Sequence, residues 1–316
     1  MLNAFTHSDG ILQTLPGDAD TQTLRKALWI DLADPTDSER QHLDALYPPG
    51  LPSVDEVEEI EASARFYEDE HGLNIHSLFL HDNNKRPVAT TVAFIINDGQ
   101  LITLHEHNLG VFRLLRLRAR REPSLAQDAI SLLLGLFETK VENLADRLEE
   151  VHTDLERVSA MVLAESGVDM EDAFDELTRQ EDINGRIRLC LMDSQRALTY
   201  LLRRGHLQAE QREWVREILR DVDSLIPHNT FLFEKVNFLM DAAMGFINIR
   251  QSQIIKIFSI AAVVFLPPTV VASIFGMNFR IMPLLETDWG YPIALVIMLL
   301  SGIAPYLYFK SKGWLR

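Results

Sequence analysis

Few side chains in this sequence are spaced for chemistry. The triplet Gly276-Met277-Asn278 closes an uncharged apolar run. A carboxamide there offers a neutral oxygen acceptor, or it ends a helix, because Asn tolerates the left-handed cap conformation. His105 and His107 are two apart and would share one face of a strand. Such a pair reaches one metal ion, but a solvated surface is the simpler expectation. No His-Glu-x-x-His, Gly-x-Ser-x-Gly or Gly-x-Gly-x-x-Gly pattern occurs, and no Walker loop or kinase signature. An enzyme is therefore not expected. The single Cys190 excludes an intramolecular disulfide framework and a Cys-based zinc finger.

The elements that must position Asn278 are two membrane-length runs. Ile257 to Met277 and Gly290 to Phe309 contain no charge. At about 1.5 Å per residue each reaches roughly 30 Å, the hydrocarbon thickness of a bilayer. The charge balance divides at the same place. The chain of 316 residues carries −16 overall, with +4 in residues 250–316 and −20 in residues 1–249. An acidic body excludes a general nucleic-acid binder, which needs a basic footprint. Arg250 and Lys256 precede the first run, and Lys310, Lys312 and Arg316 follow the second. The positive-inside tendency then places both chain ends in the cytoplasm. Trp289, Tyr291, Tyr306, Tyr308 and Trp314 stand at run ends, where amphipathic rings favour the headgroup region. The opening MLNAFTHSDG has no basic segment followed by an apolar core, so no signal peptide is expected.

Residues 1–123 read as an α+β domain, a sheet covered by helices. Ala27 to Leu32 is a strand, and Thr36 with Glu39 forms a capping box. Leu73, Ile75 and Phe79 alternate as in a half-buried strand. Val92 to Ile96 and Leu101 to Leu104 flank Asn97-Asp98-Gly99-Gln100, a tight hairpin. Residues 124–253 are long coiled-coil-like helices. Ile130, Leu134, Phe137, Val141, Leu144, Leu148, Val151, Leu155, Val158 and Val162 make a heptad seam, broken at Gly167. A second helix runs from Met170 to Arg204, with Gly205 at its end. A third starts near Gln208, with Ile218, Val222, Leu225, Leu232, Val236, Leu239 and Phe246 as its apolar positions. Nothing stops this helix before the first apolar run, although Pro227 is placed to kink it. The two transmembrane helices span 254–278 and 290–310, joined by an outer loop, 279–289, and followed by a basic tail, 311–316. Two helices cannot surround a water-filled path, so any permeation route needs several copies of the chain.

The Gly276-Met277-Asn278 triplet, placed after one apolar run and before a short loop and a second, resembles the hallmark of the CorA family of magnesium transporters. Phe279 to Pro292 (FRIMPLLETDWGYP) and Tyr306 to Leu315 (YLYFKSKGWL) are similar to that family's loop and C-terminal end. So are Ile60 to His76, Arg188 to Leu198 and Lys235 to Lys256, so the resemblance covers essentially the whole chain. Leu284 departs from the pattern, standing where many members have Glu; Glu286 and Asp288 are the remaining acids of the loop.

The resemblance implies a homopentameric channel in the bacterial inner membrane that passes Mg²⁺, and also Co²⁺ and Ni²⁺. It implies a selectivity role for Gly276, Met277 and Asn278. It places Ser252, Ile255, Leu266, Thr269 and Ser273 on the pore face of the first span, with Pro267-Pro268 as a bend. Mg²⁺ dehydrates reluctantly, and a ring of neutral amide oxygens accepts hydrogen bonds from its waters without trapping it. An inside-negative potential supplies about 4.6 kcal/mol per 100 mV for a divalent ion, so entry needs no nucleotide. The resemblance also implies closure by cytoplasmic Mg²⁺ held between subunits; Asp221 matches a family position and Asp82 is a candidate partner. A zinc-carrying branch shares the layout but departs from the triplet at its middle residue, so Met277 favours magnesium. A non-conducting, membrane-anchored oligomeric scaffold is the remaining alternative.

Overall fold

A computed structural model describes residues 1–8, 11–16, 20–44, 51–52, 65–69, 72–83, 86–163, 170–278, 284 and 287–313. Its strands are Leu2–Ser8 (β1), Ile11–Thr14 (β2), Trp29–Ala33 (β3), Phe66–Asp69 (β4), Gly72–Asn83 (β5), Arg86–Asn97 (β6) and Gln100–His105 (β7). They form one sheet in the order β2-β1-β3-β7-β6-β5-β4. β3 and β7 run parallel, and the other neighbours run antiparallel. β6 and β7 are the expected hairpin, closed at Asn97 opposite Gln100. Asp98 and Gly99 take φ of 46° and 77°, the two positive values that a two-residue type I′ turn requires.

Alternation along the strands sorts the side chains onto two buried faces. Ile30, Leu32, Ala93, Ile102 and Leu104 face Leu24 of Thr21–Leu24 (α1) and Leu43 of Asp37–Asp44 (α2). The opposite face is aromatic. Trp29, Phe79 and Phe94 pack on Phe112 of Gly110–Arg118 (α3), and Phe94 also meets Phe137 of Ala129–Leu163 (α4). The capping box forms as expected. Thr36 N–H donates to Glu39 at 2.9 Å, and Glu39 N–H donates to Thr36 Oγ1 at 3.3 Å. Glu39 also accepts from Leu2 N–H at 2.9 Å, which ties α2 to β1. The Thr36 bond foremost, with the chain's amino terminus and Leu2 adding to it, lowers the Glu39 carboxyl from its ordinary 4.5 to about 2.

α4 is followed by Met170–Arg204 (α5) and the 67-residue Ala209–Phe275 (α6). Every seam residue of α4 from Leu134 to Val162 is buried, and Ile130 is half-buried. Gly167 lies outside the described residues. α5 has the expected bounds, and a Cβ at Gly205 would sit 2.8 Å from the Leu201 carbonyl oxygen. On α6 Val215, Ile218, Val222, Leu232, Val236 and Leu239 are buried, and Phe246 is exposed. The helix continues through Pro227 and through Pro267-Pro268 without a break. A final helix, Gly290–Ser311 (α7), completes the chain. The described residues divide into two compact units, Met1–Met240 and Asp241–Arg316.

Two buried charge clusters join the sheet to its helices. Lys140 on α4 and Asp193 on α5 are almost inaccessible, with Nζ 3.6 Å from Oδ2. Asp193 also accepts from Ser77 Oγ and Leu78 N–H of β5, and pairs with Arg65 at 3.2 Å. Burial pushes the Lys140 ammonium below its ordinary value, against the pull of Asp193. Cys190, beside them, is pushed up to about 12 by burial and is an inert thiol.

Asp193→Ala strands the buried Lys140 and the partly buried Arg65 and should destabilise the protein by about 3–5 kcal/mol. Thermal melting should register this as a Tm drop of roughly 10 °C; an unchanged Tm would show the cluster to be solvated. For Glu39 the folded value is depressed, so its stabilisation is complete above the ordinary 4.5 and disappears as pH falls towards about 2. Glu39→Gln should therefore melt below the wild type at neutral pH, and the two should converge near pH 2.

Candidate functional site

Each apolar helix of the unit Asp241–Arg316 packs along a single stripe. On α6 the half-buried residues beyond Ile257 are Ile260, Ala261, Val264, Pro267, Pro268, Val271 and Phe275. On α7 the stripe is Gly290, Ala294, Met298, Ser301, Gly302, Pro305 and Phe309. A Cβ on Gly302 would stand 3.1 Å from Pro268 Cγ and 3.5 Å from the Val264 carbonyl oxygen, so the missing side chain lets the helices approach. The rest of both apolar runs is exposed, the reverse of a soluble core helix. Trp289, Tyr291, Tyr306 and Tyr308 are exposed around α7, and Trp314 lies outside the described residues.

The residues expected on the pore face lie on the side of α6 away from α7. Ser252, Ile255, Leu266, Thr269 and Ser273 are all exposed. At 3.6 residues per turn they stand about 140–240° around the helix from Val264. Thr269 Oγ1 donates to the Phe265 carbonyl at 2.7 Å, which leaves the hydroxyl's lone pairs facing outward. At the helix end Gly276 N–H donates to Ala272 O at 2.9 Å and Met277 N–H to Ile274 O at 3.3 Å, tightening the last turn. A Cβ on Gly276 would press on Ala272 O at 3.2 Å. Asn278 follows, exposed, and its amide makes no hydrogen bond among the described residues. It is not a left-handed cap. Among described non-glycine residues only Asp34, Asp98 and Leu284 have positive φ.

The outer loop is described at Leu284 and from Thr287; Arg280 and Glu286 lie outside the described residues. Leu284 has φ 73°, and its carbonyl oxygen accepts from Thr287 Oγ1 at 2.9 Å. A Cβ on Gly290 would fall 2.0 Å from that oxygen, so only glycine fits where the loop re-enters α7.

Asp82 and Asp221 are not brought together within the chain into a metal-binding group. Asp82, near the end of β5, is half-exposed and bonded to Arg147 of α4, which also holds Glu150 at 2.9 Å. Asp221 is exposed on α6, its carbonyl oxygen accepting from Ser224 Oγ at 2.8 Å. Among the described residues no three His, Cys, Asp or Glu side chains converge as metal ligands.

One expectation is overturned. His105 is not on a solvated surface; it is 3% exposed, with Nε2 2.9 Å from Asp31 Oδ1 and Nδ1 2.6 Å from the His107 carbonyl oxygen. Asp31 takes further bonds from Thr103 Oγ1 and Arg116 Nη1, each at 2.8 Å. Its position inside the strand signal Trp29-Ile30-Asp31-Leu32 indicated a buried carboxylate needing partners. Arg147 and the Lys140–Asp193 pair carry no motif that singles them out. Lys140 sits between Phe137 and Val141 on the apolar seam, and that position was the available signal.

The structure thus defines a membrane protein with an N-terminal α+β body, long helices and two apolar C-terminal helices. The family model of the CorA-like Mg²⁺ transporter protein matches residues 25–311. Magnesium transport protein CorA of Pectobacterium atrosepticum is 52% identical over 317 residues, covering 100% of both chains. The protein of that name from Escherichia coli K12 is 51% identical over the same span, also covering 100% of both chains. The solved CorA magnesium transporter of Methanocaldococcus jannaschii superposes with TM-score 0.80 at 20% identity, over 99% of this chain and 98% of that one. The cytoplasmic domain of ZntB from Vibrio parahaemolyticus reaches 0.60 at 14% identity, over 78% of this chain and 97% of that one, a likeness of fold. The chain belongs to the CorA family of Mg²⁺ transporters.

Gly302→Leu should force α6 and α7 apart, costing about 1–3 kcal/mol. A lowered Tm in detergent would register it; wild-type melting would mean the two helices do not depend on this contact.

Proposed function

We propose that several copies of this chain, five on the family pattern, surround an aqueous path that admits Mg²⁺ to the cytoplasm of a bacterial cell. The observation that carries the reading is the exposed amide of Asn278, without a partner among the described residues, just past the end of a helix whose face away from α7 bears Leu266, Thr269 and Ser273. Repeated around an axis, Asn278 would present a ring of neutral oxygens to the waters of the hydrated ion. Gly276 and Met277 would complete this filter. Thr269 and Ser273 would hydrogen-bond to water along the path, and Leu266 and Ile255 would form apolar constrictions that close by dewetting. Ser252 would line the inner end.

The path is driven by the inside-negative potential, with both chain ends in the cytoplasm and the loop between α6 and α7 outside. Co²⁺ and Ni²⁺, of similar hydrated size, would share it. Asp82 and Asp221 from adjacent protomers would hold cytoplasmic Mg²⁺ and favour closure. Loss of that ion leaves like charges facing each other and loosens the ring. Asp82 would have to exchange its Arg147 partner for the ion.

Purified protein in liposomes should pass Mg²⁺ into a dye-loaded lumen under an inside-negative potential, and Asn278→Ala should reduce the rate by about tenfold or more. In the same assay Asp221→Lys should change the Mg²⁺ concentration on the cytoplasmic face that closes the path. Absence of wild-type flux, or equal rates for Asn278→Ala, would sink the conduction reading. An unshifted closure curve would remove Asp221 alone.

A further inference from the structure

Within the unit Met1–Met240, the parallel strands β3 and β7 end together, at Ala33 and His105. Their carboxyl ends open onto a crevice of about 810 Å³, a volume within the range of small-molecule sites. Carboxyl ends of parallel strands are where open sheets with helices on their faces receive ligands.

Some of the charges that line the crevice are already held: the amino terminus of Met1 pairs with Glu39 at 3.2 Å and donates to the Asp34 carbonyl oxygen at 3.0 Å. One wall is α3, where Arg113 and Arg116 are three apart and share a face, and Arg120 follows in the turn beyond its C-cap Ala119. Arg116 is committed to Asp31 at 2.8 Å. Arg113 and Arg120 are exposed and make no ion pair among the described residues. Asp34 and Glu106, at the strand ends, also line the crevice, and their carboxylates likewise make no ion pair among the described residues. Beside Arg116 and the amino terminus, which Asp31 and Glu39 hold, the crevice thus carries two cations and two anions that are not paired with each other. The arginines suit an anion, and Asp34 and Glu106 suit a cation that the anion brings with it.

We propose that this crevice binds a phosphate-bearing small molecule as its magnesium complex. Arg113 and Arg120 take the phosphoryl oxygens, for which the guanidinium fork is suited. Asp34 and Glu106 face the ion, which characteristically combines one or two protein carboxylates with ligand phosphates and water. The inference does not rest on ion conduction, because the crevice and its charges belong to the body alone.

Isothermal titration calorimetry on the full-length protein in detergent, with Mg·ATP and Mg·pyrophosphate as probes in excess Mg²⁺, tests it. Saturable binding at one site per protomer is expected. Arg113→Glu with Arg120→Glu should weaken it by about tenfold or more without changing Tm, because neither side chain holds the fold together. Binding should weaken when EDTA replaces Mg²⁺. That dependence should be lost in Asp34→Asn with Glu106→Gln, where Asn tolerates the φ of 46° found at Asp34. Preference for Mg·ATP would identify a nucleotide as the source, and equal affinities would show that the phosphates suffice; both outcomes uphold the site. Failure of both probes to saturate, or affinity unchanged by the arginine reversals, would overturn it. Binding indifferent to Mg²⁺ in the wild type would overturn the ion's part.

Discussion

A hydrated ion cannot be enclosed by two helices, and the membrane part of this protein is built under that constraint. Inside a bilayer every backbone polar group must be satisfied within the segment, which α6 and α7 achieve by being helices. Polar side chains there are few, and Thr269 returns its proton to its own helix at Phe265. α6 is used on two sides. One stripe packs on α7, with Gly302 against Pro268 and Val264. The other carries small hydroxyls and apolar residues and finds no cover among the described residues. A face of that kind has to meet water or further protomers, so assembly and permeation share a single requirement.

The body solves a different problem. A sheet buried on both faces must be held in register with helices that touch it only through side chains. Apolar packing supplies most of the attachment, but it is non-directional. The Asp31 and Asp193 clusters add direction. Each sets a carboxylate among donors from the sheet and a cation from a covering helix, Arg116 of α3 or Lys140 of α4. Such clusters cost desolvation and contribute little net stability when intact. Their effect is to make one docking geometry far better than its neighbours.

Elements with one strong period were legible from the residues. The heptad seam of α4, the bounds of α5, the capping box at Thr36 and the Asp98-Gly99 turn all follow from local spacing or local backbone chemistry. So did the two apolar spans, because a water-facing helix cannot go without charge over the full thickness of a bilayer. β1, β2 and β4 were not legible. They are short or carry no clear alternation, and β1 is fixed in place by pairing with β3. His105 was misread for a related reason. A histidine two residues from another resembles a surface pair until the strand beside it is known to bring up Asp31. At the site the triplet and its place at a helix end were readable. The opposition of the pore-face residues to the α7 contact was not, since it depends on which side of α6 the second helix chooses.

The strand order has a consequence for how the chain comes into being. β7 lies between β3 and β6, yet it is made after both. During synthesis β3 therefore waits with one edge bare while β4, β5 and β6 are produced, and the sheet can close only when Gln100–His105 has emerged. Pairings so distant along the chain close slowly, and bare edges invite association with other nascent chains. The hairpin at Asp98-Gly99 shortens that interval, because β7 folds back onto β6 as soon as it appears and arrives at β3 already carried by its neighbour.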